Sequence, residues 1–301
     1  MHRFVPEGPA ERIAEGIGMK KGLNAWAFPP EVSVRDAMRY ARRAGYEAIE
    51  LNLDESGEVG LRTPIARLGK IAAAAQRIGM EISSVCTGLY WSYNMAGDDP
   101  AERKMAGRVL ARQIRTAAAL GCQAILVIPG WVMGLDAGKP KIDPDVVWDR
   151  ALAGVRAAIP LAEDMGVTMC IENVWNTFLL SATEMRDFVD AAGSRRVAVY
   201  FDPANCVKYG VPEQWVRVLG RRIRRVHLKD FRRGVGGLNG FVHLLEGDVD
   251  YPAVMKAFRQ VRYTGCLTAE IFPYACGLWE SQIWTTSKAM DFILGRAKPM
   301  K

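Results

Sequence analysis

The chain has 301 residues, of which 50% are hydrophobic and 24% are charged, and this balance excludes a disordered or fibrous protein. Its 40 basic and 33 acidic residues give a net charge of +7, but the surplus is spread along the chain, which argues against a nucleic-acid partner. Apolar runs all fall short of the roughly 20 residues that cross a membrane, and the first residues contain no apolar signal segment, so a membrane is not an expected partner either.

Eight short apolar segments with the composition of buried parallel strands recur along the chain. Most are apolar at nearly every position, as in strands that are covered on both faces of a sheet. The predicted strands are Gly22–Trp26, Ala48–Leu53, Glu81–Cys86, Ala124–Ile128, Thr168–Asn173, Val197–Asp202, Arg225–Lys229 and Cys266–Ile271.

Amphipathic segments of helical length separate these strands, among them VRDAMRYARRAG and AERKMAGRVLARQIRTAAALG. Several of them end on a glycine immediately before the next strand. These glycines are Gly45, Gly79, Gly121, Gly166 and Gly193. Glycine is the usual left-handed stop of a helix, so each junction predicts a helix that packs back against a sheet.

Eight strands that alternate with about eight helices over about 280 residues are typical of a (β/α)8 barrel. An open, doubly wound sheet is the alternative, but the first strand runs into LNAWAFPPE, without the GxGxxG turn of that fold. No linker-like or low-complexity stretch divides the chain. We therefore predict an α/β protein with an N-terminal extension over residues 1–19 and a single TIM barrel domain over residues 20–301.

The six cysteines are far apart and form no CxxC pair. Five of them lie in or beside apolar runs, where a free cysteine acts as a small core residue. We expect reduced structural thiols and a cytoplasmic location. The six are Cys86, Cys122, Cys170, Cys206, Cys266 and Cys276.

Four late strands end in a side chain that can ligate a metal, namely Glu172, Asp202, His227 and Glu270. A carboxylate inside a buried strand is costly unless it is paired or bound to a cation. Each residue alone has a structural explanation, such as an ion pair with Lys229. Four of them at the ends of four successive strands favour a shared divalent cation. Three carboxylates and one imidazole suit Mn²⁺ first, with Mg²⁺ or Co²⁺ as alternatives and zinc less expected.

The segments IEN, FDPAN, HLKD and LTAE, in this order and at these intervals, resemble the xylose isomerase-like superfamily of sugar isomerases and epimerases, which includes ketose 3-epimerases. The resemblance extends from about Lys20 to the C-terminus and includes GYEAIEL on the second strand. It implies that Glu172, Asp202, His227 and Glu270 are metal ligands. It also implies that Glu172 and Glu270 are the paired acid/base residues, and that the protein is a homodimer or homotetramer.

The resemblance further implies substrate contacts. Arg233, six residues beyond His227, matches a substrate-contacting arginine of the epimerases, and Lys229 belongs to the same HxKD segment. Asn205 stands where the ketose 3-epimerases have a histidine, and Phe178 stands where they have a second glutamate. Those positions contact the substrate, so the departures argue against a free-ketohexose 3-epimerase of that type.

The chemistry of these residues can be argued without the family. Removal of a proton from a carbon beside a carbonyl leaves an enediolate, and a divalent cation stabilises its charge and orients the substrate. Glu172 and Glu270, on opposite sides of the metal, suit removal of the proton on one face and its return on the other. We predict a metal-dependent sugar isomerase or epimerase that acts on a small carbohydrate.

Weaker expectations concern the mouth of the barrel. Glu50 closes the second strand and is expected to bind Lys229 or a substrate hydroxyl, with a structural ion pair as the alternative. His243 is expected at the surface. Five aromatic residues follow strands there and can stack on a sugar ring or a flatter aglycone, or serve as lid packing. They are Trp26, Trp91, Trp131, Trp175 and Phe272.

The sequence does not decide whether the substrate carries a phosphate. Lys208, Arg232 and Arg233 are candidates to hold one. No glycine-rich phosphate cradle is evident, so neither a phosphorylated nor a free sugar is favoured.

Three other functions stay open. A lyase on the same scaffold, similar to inosose dehydratases or to the subunits that cleave oxidised C-glycosides, would lose a β-substituent after the same proton removal; the second case would bring a hetero-subunit partner. Apurinic endonucleases share this barrel but need several histidines at strand ends, and the chain has only His2, His227 and His243. A sugar-binding module without catalysis is the third alternative.

Overall fold

The computed structural model describes residues 18–134, 141–272 and 277–297, and this part of the chain contains ten strands. They are β1 (Lys20–Asn24), β2 (Ala48–Asn52), β3 (Glu81–Cys86), β4 (Ala124–Val127), β5 (Thr168–Glu172), β6 (Val197–Phe201), β7 (Ile223–Leu228), β8 (Asp230–Phe231), β9 (Phe241–Val242) and β10 (Cys266–Ala269). Eight of them, β1 to β7 and β10, are parallel and close into a barrel, with β10 between β7 and β1. β8 and β9 form a separate antiparallel pair. The predicted (β/α)8 barrel is confirmed.

Helices alternate with the barrel strands, and neighbouring helices contact each other. Within the described residues they are α1 (Val34–Arg43), α2 (Ile65–Ile78), α3 (Pro100–Leu120), α4 (Pro144–Asp164), α5 (Ala182–Ala192), α6 (Pro203–Val207), α7 (Pro212–Leu219), α8 (Tyr251–Gln260) and α9 (Trp279–Ile293). All five glycines that predict a helix stop have positive φ, from 68° at Gly166 to 90° at Gly45. Glycine adopts this conformation without the strain that a Cβ would add.

The first strand ends earlier than the sequence predicts. It spans Lys20–Asn24, because Ala25–Ala27 turn into a 3₁₀-helix. The side chain of Asn24 caps this turn by accepting a hydrogen bond from the Trp26 backbone N–H at 2.7 Å. The turn places Trp26 at the carboxyl end of the barrel, where it lines a cavity.

Polar side chains from non-neighbouring strands meet inside the barrel. Glu50 on β2 accepts a hydrogen bond from the Tyr200 hydroxyl on β6 at 2.8 Å, and its other oxygen lies 2.6 Å from His227 Nε2 on β7. All three residues are fully buried. Because β2 does not pair with β6 or β7, these contacts cross the interior of the barrel. The packed barrel interior therefore contains a polar network as well as apolar side chains.

Several predictions concern the ends of the chain and its thiols. Residues 1–17 of the predicted extension over 1–19 lie outside the described residues, so this division of the chain stays a prediction. The five cysteines within the described part are buried free thiols, as predicted, and Cys276 lies outside it. In the described ranges no helix combines the length and the apolar character needed to cross a bilayer.

Candidate active site

Four side chains meet at the carboxyl ends of β5, β6, β7 and β10. Glu172 is the last residue of β5, Asp202 follows β6, His227 is the penultimate residue of β7 and Glu270 follows β10. One ligand atom of each residue lies within 4.8 Å of the other three, and all four residues are buried. The structure thus brings together the four residues that the sequence predicts as metal ligands.

Hydrogen bonds between the residues that follow β5 and β6 fix the position of Asp202. The Asn173 side chain donates a hydrogen bond to the Asp202 carbonyl and accepts one from the Asp202 N–H, both at 2.8 Å. Asp202 Oδ1 also caps α6 by accepting from the Asn205 N–H at 3.0 Å. Sequence reasoning missed Asn173. The signal was present, because an amide directly after Glu172 can donate and accept at the same time.

The donor set of this cluster fits a divalent cation. Nδ1 of His227 faces the carboxylates, 3.1 Å from Glu172 Oε1 and 2.8 Å from Glu270 Oε2. Asp202 Oδ2 is buried and accepts no hydrogen bond, although Lys229 Nζ lies 3.1 Å away, and a metal ion would give this carboxylate oxygen a direct partner. Three carboxylates and one imidazole are ligands that Mn²⁺, Mg²⁺ and Co²⁺ accept. These residues are therefore able to hold such an ion.

Lys229 adds a positive charge beside the cluster. Its Nζ lies 2.7 Å from Glu270 Oε2 and 3.1 Å from Asp202 Oδ2. Burial lowers the pKa of Lys229, but the charges of Asp202 and Glu270 outweigh burial and hold this pKa above its ordinary value. The ammonium group therefore stays charged at neutral pH.

Glu172 and Glu270 have pKa values that are shifted in opposite directions. Burial raises the pKa of Glu172, and the hydrogen bond with His227 opposes this shift only in part. Burial also acts to raise the pKa of Glu270, but Lys229 and His227 outweigh burial and hold it well below its ordinary range. The two carboxyls therefore lie in different electrostatic surroundings: two cationic groups dominate at Glu270, and burial dominates at Glu172.

Glu50 orients His227 from the side opposite the cluster. Its carboxylate lies 2.6 Å from His227 Nε2, and both side chains are fully buried. When Nε2 donates to Glu50, Nδ1 is the ring nitrogen that faces Glu172 and Glu270. The sequence predicted Lys229, a substrate hydroxyl or a structural ion pair as the partner of Glu50. Because this side chain points into the barrel, its hydrogen-bond partners are Asn24, Ser84, Tyr200 and His227.

A cavity of about 810 Å³ lies at the mouth of the barrel, with Glu270 and Lys229 in its lining. Asn205, a predicted substrate contact, also lines it. The Trp175 indole donates a hydrogen bond to the Asn205 carbonyl at 2.9 Å, and this bond fixes the position of the indole ring. Four of the five predicted mouth aromatics line this cavity, and the structure adds Phe241. The aromatic lining consists of Trp26, Trp91, Trp175, Phe241 and Phe272.

Three predicted positions differ from what the structure shows. Arg233 is exposed, donates from Nε to the Val207 carbonyl at 2.9 Å, and is not among the described residues that line the cavity. Trp131 is buried, with Nε1 donating to the Tyr90 carbonyl at 3.4 Å, and is likewise absent from the described lining. His243, expected at the surface, lines the cavity. All three lie in loops, whose paths the strand and helix patterns do not determine.

The two departures from the ketose 3-epimerase pattern lie in different environments. Asn205 lines the cavity, and its amide donates to the Asn173 carbonyl at 2.9 Å. Phe178 is buried against Trp148 and Phe188, with ring centroids 6.3 Å and 5.7 Å away. In the described structure only the first departure therefore changes the lining of the cavity.

Residues 38–290 match the model of a family described as Xylose isomerase-like TIM barrel. The chain is 28% identical over 214 residues to a 2-epi-5-epi-valiolone 7-phosphate 2-epimerase from Actinoplanes sp., which is 69% of this chain and 72% of that protein. Its fold is similar to that of a D-psicose 3-epimerase crystallised in the presence of D-fructose, with a TM-score of 0.75, 20% identity, and coverage of 92% of this chain and 100% of the other. It is also similar to the apo form of a 3-keto-D-glucoside 4-epimerase from E. coli, with a TM-score of 0.73, 17% identity, and coverage of 91% and 98%. At these identities the two structures show the fold alone.

Proposed function

The chain belongs to the xylose isomerase-like TIM barrel family, and from that premise we propose that it is a divalent-metal-dependent sugar epimerase. The observation that carries the proposal is the buried cluster that joins Glu172 and Glu270 to Asp202 and His227. Two carboxyls beside a cation site are the groups needed to remove and return a proton at a carbon next to a carbonyl. The curated relative from Actinoplanes sp. is named as an epimerase, which supports the same reaction class.

The two glutamates divide the proton transfer between them. Glu270, which contacts Lys229 at 2.7 Å, would take the proton from the carbon beside the carbonyl in one direction of the reaction. Glu172, at the end of another strand in the same cluster, would return a proton to the opposite face of that carbon. For the opposite epimer the two residues exchange roles. Both carboxyls are more than nine-tenths buried, so bulk water competes little for the proton.

Glu172, Asp202, His227 and Glu270 would hold the cation, with Mn²⁺ expected first and Mg²⁺ or Co²⁺ as alternatives. When bound, such an ion supplies Lewis-acid stabilisation of the negative charge that develops on the substrate oxygen. Of the predicted substrate contacts, Lys229, Asn205 and Trp175 line the cavity. We assign these three to binding and orienting the sugar.

Exchange of a substrate proton with solvent tests this proposal. The protein is loaded with Mn²⁺ and incubated in D₂O with free ketoses, ketose phosphates and oxo-glycosides, and NMR follows the C–H groups beside each carbonyl. We expect deuterium at one carbon together with the epimer of at least one substrate. Binding of sugars without exchange in any of them would contradict the proposal and identify a sugar-binding module.

A lyase is the second candidate, and the aromatic lining of the cavity is the observation that favours it. Proton removal beside a carbonyl can be followed by loss of a β-substituent instead of by return of the proton. The rings of Trp26, Trp175 and Phe272 suit a flat leaving group. Release of water or of an aglycone in the same incubation would identify the lyase, whereas an intact, deuterated epimer identifies the epimerase.

A further inference from the structure

We infer that the substrate is a keto sugar that carries a planar, uncharged substituent, as an aryl glycoside oxidised at a ring carbon does, and that it is not a sugar phosphate. This inference rests on the proposed function and concerns the cavity above the same four ligands. The size of the cavity, its aromatic walls and the arrangement of charge around it lead to the inference.

The cavity is larger than one sugar ring requires. Its volume of about 810 Å³ lies in the upper part of the range of about 300–1,000 Å³ found for pockets that bind drug-sized ligands. A monosaccharide is much smaller than such ligands. Glu270 and Lys229 form the floor of the cavity, and the reacting carbon has to reach Glu270. The space towards the exposed side chains of Leu238 and Phe272 is therefore left for a substituent.

The walls of the cavity suit a flat apolar group. Trp26 and Phe272 stack with ring centroids 6.1 Å apart and planes 22° apart, and Phe272 is still 61% exposed. A planar substituent against these rings would remove apolar surface from water. Trp175, also in the lining, is held by its hydrogen bond to the Asn205 carbonyl and by contact with Phe241. Rings that are already positioned lose little conformational entropy when a ligand binds.

The charges in the cavity do not suit a phosphate. Phosphate groups are bound by charge-assisted hydrogen bonds from cationic side chains. Among the described residues that line the cavity, Lys229 is the single lysine or arginine. Its charge is balanced by Glu270 at 2.7 Å and Asp202 at 3.1 Å. With the proposed divalent cation bound, the charges of the ion and of Lys229 would be matched by the three carboxylates Glu172, Asp202 and Glu270, which leaves no excess positive charge for a phosphate.

The basic residues that the sequence suggested for a phosphate are placed outside this cavity. Lys208 lines an adjoining cavity that shares Trp175 and three other lining residues with the first, and its Nζ lies 4.5 Å from the centre of the Trp175 ring. Arg232 and Arg233 donate from Nε to backbone carbonyls at 2.8 Å and 2.9 Å. None of the three lines the cavity within the described residues, so the walls select for an apolar group and not for an anion.

Matched substrates test this inference. Phenyl and methyl 3-oxo-glucopyranosides, each as both anomers, are compared with D-fructose and D-fructose 6-phosphate in the D₂O exchange assay with Mn²⁺-loaded protein. The carbonyl at C3 of these compounds makes the C–H groups at C2 and C4 acidic. The phenyl or methyl substituent at C1 stays in place. We expect kcat/KM for the better phenyl anomer to exceed that for the matching methyl compound about tenfold or more, mainly through KM, because the aromatic ring adds binding far from the reacting carbon.

The outcomes separate this inference from the proposed function. Equal kcat/KM values for the phenyl and methyl substrates would overturn the inference and leave the epimerase proposal intact. Faster proton exchange in D-fructose 6-phosphate than in the phenyl substrate would have the same meaning. Absence of exchange in all of these sugars would overturn both.

A variant of one wall adds an independent check. In Phe272→Ala we expect KM for the phenyl substrate to rise about two- to tenfold, the size of one aromatic contact, and KM for the methyl substrate to rise by a smaller factor. The matched control is Phe292→Ala on α9, which removes another exposed ring (48%, against 61% for Phe272) that does not line the described cavity. No change in the first variant, or an equal change for both substrates, would refute the role of this wall.

Discussion

The floor of the cavity is charged and buried, whereas its walls are aromatic and partly exposed. Glu270 and Lys229 on the floor have side chains that are 8% and 14% exposed, and Phe272 on the wall is 61% exposed. The floor residues lie in or directly beside barrel strands, and the wall residues lie in the segments that follow strands. Under the proposed function, the comparison assigns the reaction to the strand ends and the choice of sugar to the loops.

The largest expected effect is that of Glu172→Gln on the floor. We expect kcat for epimerisation to fall about 10²–10⁴-fold, the contribution of one acid/base group, because the amide cannot return a proton. The circular dichroism spectrum should stay that of the native fold, and the melting temperature should not fall, because the amide carries no buried charge. The exposed Glu31→Gln serves as control, and full activity in Glu172→Gln would refute the assignment.

The next effect concerns metal affinity, measured by titration calorimetry with Mn²⁺. Asp202→Asn removes a charged ligand oxygen but keeps an acceptor that can cap α6 through the Asn205 N–H. We therefore expect affinity to fall by more than about 100-fold, beyond the usual effect of residues that only support a ligand, with thermal stability of the metal-free protein nearly unchanged. Unaltered Mn²⁺ affinity would show that this carboxylate is no ligand.

A smaller loss of metal affinity is expected for Glu50→Gln beneath the floor. Glu50 holds His227 by Nε2 at 2.6 Å, and carboxylates that orient a ligating histidine typically contribute about 10–100-fold to metal affinity. The ratio of KM values for phenyl and methyl substrates should stay the same, since the walls are untouched. Tyr200→Phe is the matched control, because it removes another partner of Glu50 and leaves His227 in place. If both variants bind Mn²⁺ equally, the proposed role of Glu50 is wrong.

The smallest expected effect concerns the free energy of unfolding of the metal-free protein at low pH, to which Glu270 on the floor of the cavity contributes. The pKa of Glu270 is held well below its ordinary value of 4.5, because Lys229 and His227 outweigh burial. Below about pH 4.5 the native protein therefore binds fewer protons at this site than the unfolded chain, so this group's contribution to the free energy of unfolding is lost as the pH falls. In Glu270→Gln we expect a flatter decline of the free energy of unfolding between roughly pH 5 and pH 3, measured by urea unfolding.

Glu172→Gln gives the opposite control in the same experiment. Burial raises the pKa of Glu172, so its contribution to stability is present at low pH and is lost as the pH rises. Its removal should leave the decline below about pH 4.5 nearly unchanged and should flatten the loss of stability as the pH rises above that value. Identical slopes in all three proteins would show that the charges of the floor do not differ as described.

The fold and the floor could be predicted from the sequence because both follow from strand periodicity. A side chain at the end of an apolar parallel strand has its place fixed once the barrel is recognised, which is why Glu172, Asp202, His227 and Glu270 converge as expected. Interactions across the barrel were not visible in this way. The bond between Glu50 and His227 joins strands that do not pair, and no local pattern encodes it.

The residues that form the walls of the cavity were harder to predict, because they lie in loops whose paths depend on long-range contacts. Trp131 and Trp175 both follow strands and look equivalent in the sequence, yet only Trp175 lines the described cavity. Arg233 and His243 lie in the long segment after β7, where the pairing of β8 with β9 decides which side chains face inward. Loop paths depend on such long-range contacts, and a single sequence does not show them.

A crystal structure of the Mn²⁺-loaded protein with an anomalous difference map at the manganese edge tests the central claim most directly. We predict one strong peak at about 2.0–2.4 Å from an oxygen of Glu172, Asp202 and Glu270 and from Nδ1 of His227. A manganese ion bound elsewhere, or four side chains that stay clustered without a peak between them at saturating Mn²⁺, would contradict the account.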